Sequence, residues 1–174
     1  MSLVKEMMKL NKYRPAGGKG PHYPDRHHFD AELQPVDLAD TYYPAFKRCI
    51  QAAGVSQIMC SYNAVDGVPA CVNSELMRGV LRDNWGFEGG LVSDCGALAD
   101  VMKTHKYAKN GTATVAKTLA AGMDMNCGNV ISKENVAAAL ADGSVAESRL
   151  RKSLERLFTI RLRLGEFDPP AGQP

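Results

Sequence analysis

Gly90-Leu91-Val92-Ser93-Asp94-Cys95-Gly96-Ala97 is the stretch on which the fold turns. Its apolar start reads as a strand, one carboxylate stands at its end, and Gly96 permits a sharp turn into a predicted helix. In β/α proteins the carboxyl ends of parallel strands carry ligands and catalytic groups. Asp94 is therefore a candidate for chemistry. The plain alternative is an N-cap for the following helix, a role open to Ser93 as well.

Two further strands flank this one in the chain. Ser56-Gln57-Ile58-Met59-Cys60-Ser61-Tyr62-Asn63 reads as a short buried strand, with Asp66-Gly67 as a turn after it. Met123-Asp124-Met125-Asn126 reads as a third, very short strand. Between and around them the apolar periodicity is helical. Leu38, Tyr42, Ala45, Phe46, Cys49 and Ile50 mark one buried face, with Pro44 as a kink or restart. A helix capped by Ser74 carries Leu76, Met77, Val80 and Leu81, another follows Ala97, and a third spans Thr112 to Ala121 before Gly122. Lys133 to Leu140 forms the next. Ala146-Glu147-Ser148 then opens a long amphipathic helix expected to bury Leu150, Leu154, Leu157, Phe158, Ile160 and Leu164.

Strands alternating with helices predict an α/β fold with parallel pairing. Three or four short strands fall short of an eight-stranded barrel of ~250 residues, so the expectation is part of a barrel or an open sheet. Residues 1–36 are read apart from this unit. Met1 to Leu10 reads as an amphipathic helix and not a signal peptide, and residues 11–36 as an irregular loop dense in Pro and Gly. The partial barrel occupies residues 37–168, and 169–174 read as a disordered tail.

Composition narrows the function classes. The chain has 174 residues, 45% of them apolar, and its 21 basic and 19 acidic residues leave a formal charge of +2. Nothing in that balance suggests a nucleic-acid partner, and no apolar run approaches a membrane span. His27-His28 lack a companion cluster of acids or thiols, so solvated loop histidines are expected and no metal site. Cys49, Cys60, Cys71, Cys95 and Cys127 lack C-x-x-C spacing. Buried thiols are the favoured reading, with a Cys60–Cys71 disulfide left open for an exported protein.

The three strand ends bring Tyr62, Asp94 and Asp124 toward one face. For Asp124 a plain hydrogen-bond acceptor at a loop or helix end is preferred over direct catalysis. At these residues the sequence resembles family 3 glycoside hydrolases of the β-xylosidase and β-glucosidase type. The resemblance rests on Asp37-Leu38-Ala39-Asp40-Thr41-Tyr42-Tyr43-Pro44-Ala45-Phe46, on Met59-Cys60-Ser61-Tyr62-Asn63 with Gly67-Val68-Pro69, and on Leu91 to Ala97. It continues through Ala121 to Gly128 and Arg161-Leu162-Arg163-Leu164-Gly165-Glu166-Phe167. The Cys-containing versions of these motifs look most like the xylosidase and arabinosidase side.

The resemblance implies a partial (β/α) TIM-like barrel made of the last three or four β/α units of the catalytic domain. It also implies a retaining β-glycosidase in which Asp94 attacks the anomeric carbon and a second carboxylic acid serves as acid and base. Tyr62 and Asp124 are the expected substrate-binding neighbours, and no metal or organic cofactor is required. The partner would be a β-linked oligosaccharide such as a xylan or glucan fragment. The family is often extracellular. The first barrel strands, a Lys-His pair and the acid/base Glu have no match here, so a truncated, catalytically silent carbohydrate-binding or interaction remnant is the alternative. An opened barrel edge would favour self-association.

Overall fold

The computed structural model describes residues 25–169. The helix expected over Met1–Leu10, the loop up to residue 24 and the tail after Pro169 lie outside the described residues.

The strand pattern of the sequence is realised. β2 (Gln57–Cys60) and β5 (Gly90–Ser93) pair in parallel, with Cys60 opposite Ser93. The third predicted strand shrinks to a single parallel bridge between Val92 and Met125. It is extended by the Ser93 amide, which donates to the Met125 carbonyl at 3.0 Å. β5 is thus the middle of three parallel segments, and Asp94 follows its last residue.

Helices supply the crossovers that parallel pairing demands. A π-wound helix, Glu75–Asn84, lies between β2 and β5. Two helices, Ala97–Lys103 and Gly111–Ala120, lie between β5 and Met125, and Lys133–Ala141 and Glu147–Arg163 follow. Met77, Leu81, Leu91, Leu98, Leu119 and Met123 are each at most 1% exposed and form the core between helices and strands. Burial of such side chains contributes on the order of 1.5–3 kcal/mol each, which makes the apolar faces the main source of order.

The first helical stretch is broken as Pro44 suggested. A short turn at Pro35–Asp37 gives way to a π-wound Leu38–Tyr42 and then to the regular helix Tyr43–Gln51, which has Pro44 in its first turn. Proline has no amide to donate, so the preceding segment winds differently.

Four features differ from the sequence reading. Within the expected loop, β1 (Asp30–Ala31) pairs in parallel with β3 (Ala64–Val65), which pairs antiparallel with β4 (Val68–Pro69). Two-residue strands are too short to show a period, and side chains fix them instead. Asp30 accepts from the Gly67 amide, and Asp66 from the Leu33 amide, both at 3.0 Å. Second, the helix Glu147–Arg163 does not bury its whole predicted stripe. Of that stripe Leu154, Phe158 and Leu164 are exposed, as is Leu162 outside it, while Ser153 is buried with its hydroxyl on the Met123 carbonyl at 3.1 Å. Third, the favoured buried thiols are mostly paired: the Cys60–Cys71 disulfide that the sequence left open is formed, Cys95 pairs with Cys127, and Cys49 stays unpaired. Fourth, His27 is not a solvated loop residue, as described below. Among the described residues no helix is long and apolar enough to cross a membrane.

Candidate active site

Asp94 leaves the end of β5 just before Gly96, whose φ of +86° is a left-handed conformation that glycine adopts without strain. This turn starts the helix Ala97–Lys103 with no side-chain cap, so the Asp94 carboxylate is not consumed in capping it. One oxygen, Oδ1, accepts from the Cys95 amide at 2.8 Å and from the Tyr62 hydroxyl at 3.2 Å. Among the described residues, no side chain or amide donates to Oδ2. The arrangement fixes one oxygen and leaves the other without a protein donor among the described residues.

Tyr62, just beyond β2, is the hub of the site. Its single phenolic proton is shared between Asp94 Oδ1 and the Cys95 carbonyl, the latter at 2.7 Å. Burial pushes the phenol above its ordinary range, and the neighbouring Asp94 charge adds to that. The Tyr62 carbonyl accepts from His105 Nε2 at 2.7 Å. Its ring meets the His27 imidazole at 4.5 Å between centroids and the Arg26 guanidinium at 4.9 Å. His27 Nδ1 in turn reaches Asp100 Oδ2 at 2.6 Å. Arg26, His27, Asp100 and His105 were invisible to periodicity: two sit in a breaker-rich loop, one on a helix face, one in a turn.

A disulfide closes the same end of the sheet. Cys95, next to Asp94, is bridged to Cys127, two residues past the Met125 bridge. Ser93 accepts the Cys127 amide at 3.0 Å and donates to Asn126 at 3.2 Å. The turn carrying Asp94 is thereby tied to the third segment by covalent and polar links.

Asp124 is not brought into this site. It lies beside Leu91, toward the opposite end of β5, and its side chain is 1% exposed. Oδ2 accepts from Arg82 Nη2 at 2.8 Å and from the Leu91 amide at 2.9 Å. Oδ1 accepts from Arg156 Nε and Nη2 at 2.9 and 2.7 Å. Both oxygens are thus occupied by protein donors. Arg82 also donates to the carbonyls of Phe87, Gly89 and Gly122, so the cluster gathers the chain entering β5 and the third segment. Burial lowers the Arg82 pKa from the ordinary arginine range, against the pull of the Asp124 charge. The structure thus sets Asp124, expected beside the substrate, apart from Tyr62 and Asp94, in a cluster that ties the chain entering β5 to the third segment.

No group of three or more metal-ligating side chains occurs among the described residues. A cavity of about 670 Å³ elsewhere is lined by Tyr42, Tyr43, Leu33, Val65 and Glu75, with neither Asp94 nor Tyr62 among its walls.

Residues 5–160 match the sequence model of the glycosyl hydrolase family 3 N-terminal domain. The chain is 39% identical over 153 residues to a probable exo-1,4-beta-xylosidase of Aspergillus terreus, covering 86% of this chain and 20% of that protein. It is 41% identical over 143 residues to probable beta-D-xylosidase 7 of Arabidopsis thaliana, covering 82% of this chain and 18% of that one. Among solved structures, a family 3 exo-beta-xylosidase (XlnD) bound to a xylobiose aziridine probe superposes with a TM-score of 0.77 at 33% identity, over 83% of this chain and 19% of its own. A beta-glucosidase from Listeria innocua in complex with isofagomine gives a TM-score of 0.77 at 30% identity, over 83% and 20%. The chain spans about a fifth of the length of the curated relatives it matches.

Proposed function

We propose, for a chain that belongs to glycosyl hydrolase family 3, that Asp94 is the nucleophile of a retaining β-glycosidase acting on β-xylosides or β-glucosides. The observation that carries this reading is the asymmetry of the Asp94 carboxylate, with Oδ1 held by Tyr62 and Cys95 and Oδ2 without a protein donor among the described residues. In the retaining mechanism Oδ2 attacks the anomeric carbon as the glycosidic bond breaks, giving a covalent glycosyl-enzyme that water then hydrolyses. A second carboxylic acid protonates the departing oxygen and later activates the water. Tyr62 holds Oδ1, so that the attacking oxygen keeps its direction as charge leaves the carboxylate. The order of the motifs along the chain supports its placement as the last β/α units of the catalytic barrel. The proposed ligand is a β-linked xylan or glucan fragment.

The test is covalent trapping. A 2-fluoro-β-xyloside or β-glucoside with a dinitrophenolate leaving group departs with little acid assistance, so it reports on the nucleophile alone. Mass spectrometry of the digested chain should place the adduct on Asp94 and find none in Asp94→Ala. A reagent that binds but leaves Asp94 unlabelled would favour a carbohydrate-binding module; neither binding nor labelling would remove the sugar site altogether. The exposed Leu154, Phe158 and Leu162 on one helix face support self-association as a further proposal, which sizing chromatography reads directly.

A further inference from the structure

We infer that Asp100 and His27 are positioning residues for the Asp94 site, holding the Tyr62 phenol in place through the imidazole ring; the inference rests on the reading of Asp94 as nucleophile. Arginine Nε–H can only donate, and Arg26 Nε lies 3.3 Å from His27 Nε2. Nε2 is therefore the bare nitrogen, and Nδ1 carries the proton given to Asp100 Oδ2 at 2.6 Å. Asp100 is itself fixed, because Oδ1 accepts from Thr104 Oγ1 at 2.7 Å. The His27 amide donates to Asp25 Oδ1 at 2.9 Å, which anchors the backbone that carries the ring.

These links form a closed circuit. Asp94 leads through Gly96 into the helix Ala97–Lys103, which carries Asp100. Asp100 holds His27, His27 packs on the Tyr62 ring, and the Tyr62 hydroxyl returns to Asp94. The nucleophile turn and the residue that orients it thus share one rigid frame. Side chains oriented by a neighbouring carboxylate in this way keep one tautomer and one ring orientation. His27 touches neither the proposed reacting atoms nor Asp94, so it acts only through Tyr62.

The experiment uses the 174-residue chain, labelled with ¹⁵N and with ring-labelled tyrosine, as wild type, Asp100→Ala, Asp100→Asn and His27→Ala. In wild type, His27 should show a protonated Nδ1 and a bare Nε2. Asp100→Ala should lose that preference and shift the Tyr62 ring resonances, while Asp100→Asn, which keeps an acceptor oxygen, should restore both. Trapping of Asp94 by the fluoroxyloside should slow about tenfold in Asp100→Ala and His27→Ala, with reagent binding within about twofold, and recover in Asp100→Asn. Wild-type labelling rates in both alanine variants would overturn the inference. So would equal losses in Asp100→Asn and Asp100→Ala, since those mark general structural damage. His27 is partly exposed, so its alanine variant remains informative even where Asp100→Ala does not fold. Absence of labelling in wild type rejects the glycosidase reading alone. The positioning role then stands if the Tyr62 resonances move in Asp100→Ala and return in Asp100→Asn, and falls if they do not.

Discussion

Two aspartates stand at opposite ends of the same three parallel segments, and their surroundings could hardly differ more. Asp124 has four donors from Arg82, Arg156 and the Leu91 amide, and 1% of its side chain is exposed. Asp94 has two donors, both on one oxygen, and is half-buried. A carboxylate that is fully satisfied has no capacity left for a ligand. One that is half-satisfied and half-open is held in direction yet remains available. The difference separates the end of the sheet that holds the fold together from the end proposed to act on substrate.

The comparison breaks most readily at Asp124. Replacing it with alanine leaves two half-buried arginines without their counter-ion, and removing the buried partner of such a cluster costs up to about 3–5 kcal/mol. Asp94→Ala removes two hydrogen bonds at a half-buried turn and should cost about 1–2 kcal/mol. Urea unfolding of the two variants measures this directly. Equal losses would mean that both carboxylates are structural. Isosteric Asp124→Asn should also be strongly destabilising, because the charge and not the shape balances the guanidinium groups.

The disulfides sharpen the same contrast. Cys60 and Cys71 are buried, whereas Cys95 is exposed beside Asp94. Mild reductant followed by alkylation should therefore open Cys95–Cys127 first. Its 32-residue separation gives a loop-closure contribution of roughly 3–4 kcal/mol, so Cys95→Ser with Cys127→Ser should lose an amount of that order. Simultaneous opening of both bridges would contradict the assignment of Asp94 to the accessible end.

How far the sequence revealed this division depends on the range of the signals. The parallel strands, the crossover helices and the place of Asp94 were legible because apolar periodicity and a strand-ending Asp-Cys-Gly are local. The fate of Asp124 was not, because its partners lie 42 residues before it and 32 after it, and nothing local distinguishes an arginine that will be buried. The exposed half of the stripe on Glu147–Arg163 failed for a related reason. Arg156 and Ser153, both polar by type, face inward to reach Asp124 and Met123, and this turns Leu154 and Phe158 outward. His27 was misjudged because its meaning depends on Asp100, 73 residues away.

Gly96 is the hinge of the Asp94 end, and its substitution gives an intermediate effect. A Cβ added there meets nothing within 4 Å, so any loss in Gly96→Ala comes from the left-handed backbone alone. That conformation costs an L-residue roughly 1–2 kcal/mol. A loss near this size, with the Asp94 adduct still forming slowly, would show that the turn is set by conformation and not by packing. No measurable loss would mean that the turn relaxes to another path.

The smallest expected effect concerns the phenol that joins the two halves of the site. The Tyr62 pKa is raised first by burial and then by the Asp94 charge, and that of Tyr43 is raised first by burial. A raised folded-state value means that the folded chain holds its phenolic proton where the unfolded chain, with an ordinary value near 10, begins to lose it. The resulting contribution is fully present below about pH 10 and is lost as pH rises from there through the folded value. Urea midpoints should accordingly be flat in this respect between pH 7 and 9 and fall above pH 10. Tyr62→Phe should cost about 1 kcal/mol at neutral pH, through the missing hydrogen bonds to Asp94 and Cys95, yet show a shallower alkaline fall. Tyr43→Phe provides the control, because it removes a second raised phenol without touching Asp94. If only Tyr43→Phe flattens the alkaline limb, Tyr62 ionises as freely in the folded chain as in the unfolded one, and the hydrogen bond that orients Asp94 is too weak to keep its direction.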